Sequence, residues 1–429
     1  MTSATDGKTR NLAGSSGALR DRVSVGTGGT LGPPAAAIGG RARKIENAGF
    51  DLITWPDHLM GWLPESLWTP DVSPLVAMSP SRSPHVFLDA VACIAVAAAS
   101  TDRIRLGTCV TDPIRRHPAV LANEFLTLHH ISRGRVFLGI GAGEGENTIP
   151  YGMDFGYQVS KFDEALQVIR LLWESNGPVD FDGEWFRLEG AVLGLGPYEG
   201  TFPPIWVGAH GPRMCEIAGA QGDGWLPVMM PIDEYRTRLA WIEDARRSHG
   251  RAADPFTVAV RSYVVAHEDH DTAHRMLDHP LVKGLCLSLP DWLFKTVGSQ
   301  HPMGDGFHGL RSYIPSGIPH EEALRLIEQI PFELVHQYML HGTPDDMVEG
   351  MAPYVDAGAR CILLQNMGFL ADPVTAVAAF DLLAQTIQEV DVRFNRPVEA
   401  ETDERLHRHL GGADASVGAP LNPRRRDLP

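Results

Sequence analysis

Apolar residues in this chain fall into short unbroken runs, and the stretches between the runs carry helical periodicity. The run RVFLGI at 135–140 shows the first pattern. Val, Phe, Leu and Ile in succession suit a parallel strand covered on both faces. Similar runs predict strands at 22–26, 51–55, 104–110, 204–209, 224–228, 256–266 and 360–365. Apolar residues at three- and four-residue spacing predict helices at 86–99, 117–131, 161–173 and 234–248. Strands alternating with helices make a parallel sheet with crossover connections. Eight strands over this length predict an α/β fold, a (β/α)8 TIM barrel, with a doubly wound open sheet as the alternative.

Two stretches interrupt the alternation. Residues 62–85, WLPESLWTPDVSPLVAMSPSRSPH, follow the second strand and are rich in Pro, Ser and aromatic side chains. Residues 267–340 follow the seventh. Loops this long are lids, binding loops or disordered segments. Both leave from the end of the barrel where chemistry sits. At the ends, residues 1–20 are rich in Gly, Ser and Thr and predict a disordered tail. Residues 397–429 predict a polar C-terminal tail, which leaves 21–396 as the barrel domain.

Composition then narrows the function classes. The chain has 37 Lys and Arg against 53 Asp and Glu, a formal charge of −16, which disfavours a nucleic-acid partner. Its five cysteines are scattered without a CxxC pair, which argues against a disulfide framework or structural zinc and fits a cytoplasmic protein. The N-terminus lacks an apolar signal core, and the longest apolar run, 90–99, is too short to span a bilayer. No transmembrane segment is expected.

Candidate chemistry gathers at the predicted strand ends. The second strand ends in Trp-Pro-Asp-His, placing Asp57 and His58 at its tip, with Trp62 four residues beyond His58. A histidine there exchanges a proton near neutral pH. The third gives GTCVTDPIRRHPAV, in which Asp112 and Arg115 either hold polar ligand groups or cap the helix beginning near Pro118. The fourth opens into GAGEGEN, a glycine-rich turn carrying Glu144. The fifth gives Ala209-His210-Gly211 ahead of a helix, whose first amides can bind phosphate. Neither GTGGTLG nor GIGAGEG meets the dinucleotide fingerprint: Leu31 and Glu144 stand where its third glycine falls, and an acid there repels a pyrophosphate. HEDHDTAH at 267–274 lacks HExxH spacing and predicts the opening of a polar helix, so no metal site is expected.

The ordered set WPDHLMGW, GTCVTDPIRRHPAV, RVFLGIGAGEGEN, FDGEWFRL, IWVGAHGP and GDGW resembles the luciferase-like hydride transferase superfamily, in particular its deazaflavin-dependent branch. Within that branch HGPRM, HPMG with the D-x-F that follows it, and GTPDD look most like the mycobacterial phthiodiolone and phenolphthiodiolone dimycocerosates ketoreductases. The resemblance implies a TIM barrel that binds coenzyme F420 at the C-terminal strand ends. It implies that Asp57 and His58 lie beside the deazaflavin and that Trp62 walls the reacting pocket. Cys109 and Val110 match a bulge in the third strand that backs the ring, often through a non-proline cis peptide. Glu144 matches the catalytic acid, Asn147 the cofactor-contacting loop, and Ala209, His210 and Gly211 the segment that holds the cofactor phosphate. By analogy with the family alone, a homodimer is the expected assembly.

The leading expectation is therefore an F420-dependent oxidoreductase acting on a carbonyl or secondary alcohol, with Glu144 as proton donor and His58 as orienting or stabilising donor, or with those two roles exchanged. The segment PVMMPIDEY after the sixth strand lacks a lysine suited to a sugar phosphate, and the 62–85 loop is largely apolar. A hydrophobic or lipid-like ketone is expected for that reason. The rivals are an FMN-dependent monooxygenase on the same barrel, an F420-dependent sugar-phosphate dehydrogenase and a non-catalytic ligand-binding barrel.

Overall fold

A computed structural model of the chain describes residues 22–78 and 83–395. The tails expected at 1–20 and 397–429 lie outside the described residues, as does Arg82, the one basic residue of the 62–85 loop. The strands are β1 (Ser24–Gly28), β2 (Leu52–Trp55), β3 (Arg105–Thr108), β4 (Val136–Ile140), β5 (Val179–Asp182), β6 (Arg187–Ala191), β7 (Ile205–Val207), β8 (Gly224–Trp225), β9 (Thr257–Ala266), β10 (Met339–Gly342) and β11 (Cys361–Asn366). The eight strands β1, β2, β3, β4, β7, β8, β9 and β11 pair in parallel in that order. The β8–β9 and β11–β1 pairings close the ring, so the fold is the barrel and not the open sheet. All eight correspond to runs predicted from the pattern. The four predicted helices are present as Ala90–Ser100, Pro118–Ile131, Gln158–Glu174 and Ile232–Ser248.

The continuous apolar runs follow from burial on both faces of each strand. Inside the ring lie Leu52, Phe137, Trp206, Leu226, Ala259, Cys361 and Leu363. Phe137 and Trp206 stack with centroids 4.1 Å apart. Gly107 makes room for that stack, since a Cβ there would stand 2.5 Å from the Phe137 ring. Outward residues such as Ile53, Leu106, Val136 and Leu138 pack under the helices in a larger core.

Two features were not visible in the pattern. The antiparallel β5–β6 hairpin is largely solvated on both strands, so it shows no apolar run. Strand β10 follows the helix Phe332–Tyr338 without a loop and pairs in parallel with the last four residues of β9.

The two insertions form one body. Trp62, Leu63 and Leu67 share a hydrophobic core with Leu281, Leu285, Phe294 and Leu326. The Ser66 hydroxyl donates to the Ile318 carbonyl at 2.8 Å. Leu63 and Leu67 therefore hold the lid together, Trp68 and Leu75 pack against it, and Met78 is 63% exposed. The lid also rests on the loop after β4. The Gly145 amide donates to the Leu310 carbonyl at 2.8 Å, and a Cβ at Gly145 would stand 2.7 Å from the Arg311 carbonyl oxygen. Among the described residues no helix is long and apolar enough to cross a membrane.

Candidate active site

The C-terminal mouth of the barrel gathers the side chains expected there. Asp57, just past β2, is buried and spends its carboxylate within the protein. The Thr111 hydroxyl donates to it at 2.7 Å, Arg115 lies 3.2 Å away, and Arg116 also donates to it. Burial alone would raise the Asp57 pKa, but the two guanidinium groups outweigh it and hold the carboxyl below its usual range. Arg115 donates in turn to Asp112 at 2.6 Å and to the Asp57 carbonyl at 2.6 Å. Asp112 accepts from the Ile114 and Arg115 amides, while His117 caps the helix Pro118–Ile131. Asp112 and Arg115 thus serve each other and the β2 tip, not the helix start.

Asn147 fastens the β2 and β4 loops together. Its side-chain oxygen accepts from the Leu59 amide at 2.7 Å and the Met60 amide at 3.1 Å. Those two donors fix the amide orientation, so its NH2 faces His58 Nδ1 at 2.8 Å and Glu144 Oε2 at 3.2 Å. His58 Nδ1 must then present a lone pair, and the neutral ring carries its proton on Nε2, 3.3 Å from Glu144 Oε2. The Met60 carbonyl, 3.0 Å from the same Nδ1, can accept only when that nitrogen carries a proton. Burial pulls the His58 pKa below its usual value, against the opposing pull of Glu144 and the Met60 carbonyl. The neutral ring is the resting form near pH 7.

Glu146 completes this cluster and was missed in the sequence reading. Its side chain is fully buried, and burial together with the neighbouring Glu144 carboxylate drives its pKa well above the usual range. Its Oε2 is buried without a hydrogen-bond partner. Glu144 itself is 25% exposed and is the member that reaches the open mouth. One donor atom each from His58, Glu144 and Glu146 lies within 4.8 Å of the others. The signal was available in GEGEN: acids two apart in a tight turn fall near each other, and one of them must be desolvated.

Aromatic rings wall this cluster. Trp62 packs edge-on against His58 with centroids 4.6 Å apart, Phe87 lies 5.5 Å from His58, and Tyr263 lies 6.1 Å from Trp62. Opposite, β3 bulges: Gly107 pairs with Phe137 but Thr111 with Ile140, so β3 spends one residue more than β4. The Cys109–Val110 peptide within the bulge is cis. Both side chains pack on the barrel interior. Arg261, on β9, points inward with Ala259 and donates to Gln365 at 2.8 Å. Among the described residues no carboxylate pairs with it. This buried cation was also unforeseen, because an apolar strand hides a single inward charge.

The β7 end forms the remaining side. Ala209 is buried, and its carbonyl accepts from the Trp225 indole at 2.9 Å. The His210 carbonyl accepts from Arg238 at 2.8 Å. Burial, then Arg238 and Arg261, pull the His210 pKa down to about 4, so its ring is neutral, and Nε2 is buried without a partner. Gly211 is the N-cap of the helix Pro212–Gln221, and no side chain caps that helix. The fold therefore brings together Asp57, His58, Trp62, Glu144 and Asn147 as one network, with Cys109 and Val110 across the mouth and Ala209, His210 and Gly211 beside it.

Comparison with known proteins places this geometry. The family model described as luciferase-like monooxygenase matches residues 18–361. The phthiodiolone/phenolphthiodiolone dimycocerosates ketoreductase of Mycobacterium sp. (strain JLS) is 36% identical over 359 residues, 81% of this chain and 93% of that protein. The F420-dependent glucose-6-phosphate dehydrogenase of Microbacterium testaceum (strain StLB037) is 26% identical over 339 residues, 75% of this chain and 85% of that protein. An F420-dependent secondary alcohol dehydrogenase, solved with an F420–acetone adduct, superposes with a TM-score of 0.66 at 22% identity, covering 86% of this chain and 99% of that one. The last likeness concerns the fold alone.

Proposed function

This chain belongs to the luciferase-like monooxygenase family, and on that premise we propose that it is a coenzyme F420-dependent oxidoreductase interconverting a ketone and a secondary alcohol. The observation that carries the proposal is the cluster of His58, Glu144 and Glu146, which sets two carboxyl groups against an imidazole at the barrel mouth. The names of the relatives at 36% and 26% identity support the cofactor and the reaction class.

The residues present fit a deazaflavin. The bulge at Cys109 and Val110 offers a flat backing, the uncapped helix start at Gly211 offers amides to a phosphate, and Arg261 offers a positive charge that no carboxylate among the described residues neutralises. The uncharged His210 ring would sit beside the phosphate without pairing to it. When bound, the deazaflavin supplies hydride chemistry at C5, giving to a carbonyl carbon or taking from an alcohol.

The protein's own task is the proton. A carbonyl oxygen being reduced gains negative charge and must receive a proton as it does so. Glu144 is the donor in this reading, because it alone of the two acids reaches the mouth. His58 holds the Glu144 carboxyl from Nε2, and the proton of the buried Glu146 acid passes through Glu144 to the substrate oxygen. Asn147 and Asp57 are positioning residues. Asn147 fixes the His58 tautomer, and Asp57 anchors the β2 tip to Arg115 and Arg116.

Two measurements test this reading. In a fluorescence-quenching titration the protein is expected to bind oxidised F420 more tightly than FMN; equal or preferential FMN binding would move it to the flavin-dependent monooxygenases. The second concerns the substrate. Trp62, Phe87 and Tyr263 line the mouth with apolar surface, and the relative at 36% identity is a ketoreductase named for lipid substrates. At saturating F420 a long-chain ketone or alcohol is expected to react faster than glucose 6-phosphate. Clear preference for the sugar phosphate would place the chain with the dehydrogenases instead.

A further inference from the structure

The lid insertion leaves the barrel after β9 and returns at β10, and four imidazoles gather at that neck. His270 and His274 lie one turn apart on the helix His270–Met276, which opens where the sequence predicts a polar helix. His341 is on β10, and His336 lies on the helix before it. The His341 ring is 5.4 Å from His270, 5.1 Å from His274 and 4.9 Å from His336, centroid to centroid. One nitrogen each from His270, His274 and His341 falls within 4.8 Å of the other two. The shortest of these approaches is His274 Nδ1 to His341 Nε2, 3.1 Å.

The orientations match a ligand set. His270 Nδ1 lies 3.1 Å from Asp346 Oδ2, and that oxygen also accepts from the Thr343 amide and hydroxyl, each at 2.8 Å. His270 therefore donates its Nδ1 proton to a carboxylate already held in place, and Nε2 keeps its lone pair. A carboxylate behind a histidine in this way is the usual outer support of a metal ligand. His341 turns Nδ1 towards its nearest acceptor, the Met339 carbonyl at 3.5 Å, and Nε2 towards His274. Two ring nitrogens facing each other require something shared between them, a proton or a cation. Two nitrogens on a tetrahedral zinc with bonds of 2.0–2.1 Å stand roughly 3.3 Å apart, close to the separation found here.

We propose that His270, His274 and His341 bind a divalent transition metal of the zinc class, and that the bound metal clasps together the two ends of the lid insertion. An all-imidazole set selects zinc, copper or nickel over magnesium or calcium. Three ligands leave a fourth position for water, and His270 is exposed enough to admit the ion. The HExxH template overlooks this set because Asp271 stands where its glutamate falls. The first two share the i, i+4 spacing that puts side chains on one helix face.

The test uses chelator-stripped full-length protein titrated with Zn2+ against a chromogenic chelator. The unmodified protein is expected to take up one equivalent. Asp346→Asn is expected to weaken that binding by about 10–100-fold, the usual effect of losing an outer support. His270→Ala and the double variant His270→Ala/His274→Ala are expected to lose it. Glu144→Gln serves as control for the His58, Glu144 and Glu146 cluster and is expected to keep it. Co2+ is expected to give a tetrahedral visible spectrum in the unmodified protein that Asp346→Asn weakens, a readout that needs no correctly folded double variant. Zn2+ is also expected to slow proteolysis within residues 267–340 of the unmodified protein only. Zinc uptake that survives His270→Ala, or that Glu144→Gln abolishes, would overturn the proposal, as would no saturable uptake at all.

Discussion

Glu144→Gln is expected to lower the single-turnover rate of carbonyl reduction by about 100-fold or more, the scale on which general acid catalysis is lost, with F420 affinity nearly intact. Glutamine preserves the size of the side chain and its contacts to His58 Nε2 and the Asn147 amide. It removes only the titratable proton. The acid loop is held by Asn147 and by the lid contact at Gly145, so the substitution has no reason to move the cofactor site. Glu146→Gln is expected to lower the rate as well, since glutamine keeps the shape of the protonated acid that burial enforces but has no proton to pass to Glu144. If reduction in Glu144→Gln proceeds at the original rate across pH, the proton comes from elsewhere and His58 becomes the donor to test.

Asp57→Asn is expected to destabilise the fold by about 3 kcal/mol, the low end of the cost of removing one partner from a buried ion pair. Asparagine still accepts from Thr111, and Arg115 retains Asp112 while Arg116 retains Asp89 and Glu124. Those surviving partners keep the loss from the upper end of the range. The pH dependence has a definite sign. The folded-state pKa of Asp57 lies below the unfolded value of about 3.9, so its contribution is complete above that value and fades as pH falls through the folded one. Urea unfolding at neutral and acidic pH should therefore show the two proteins converging in acid. A variant of unchanged stability but much weaker F420 binding would show that the carboxylate touches the cofactor directly.

The barrel strands were legible because each is buried on both faces, and such burial writes itself as an unbroken apolar run. The β5–β6 hairpin and β10 were not, since one is solvated and the other runs straight on from the helix Phe332–Tyr338 with no break to mark its start. Within the site, His58 and Glu144 could be read from their place at strand ends. Glu146 was hidden by its neighbour: a turn seen as one acid among glycines holds two, and which of them is desolvated depends on the lid covering it. Arg261 was hidden in an apolar strand for the same reason, as its inward direction is set by closure of the ring. The apolar residues of 62–85 invited a reading as pocket wall. Most of them instead join the core of the other insertion, a long-range pairing that neither segment announces, and only Trp62 also turns to His58.

The contact at Gly145 bears on how this protein can diversify. The lid meets the acid loop backbone against backbone, in a gap that admits no side chain on either the glycine or a differently routed lid. A descendant can change the lid's outer surface, length and aromatic lining freely. It cannot give up the glycine, or the bare strip of chain laid across it, without moving the acid. Substrate preference can therefore drift across generations while the proton donor stays in place, and the lineage inherits its chemistry separately from its choice of substrate.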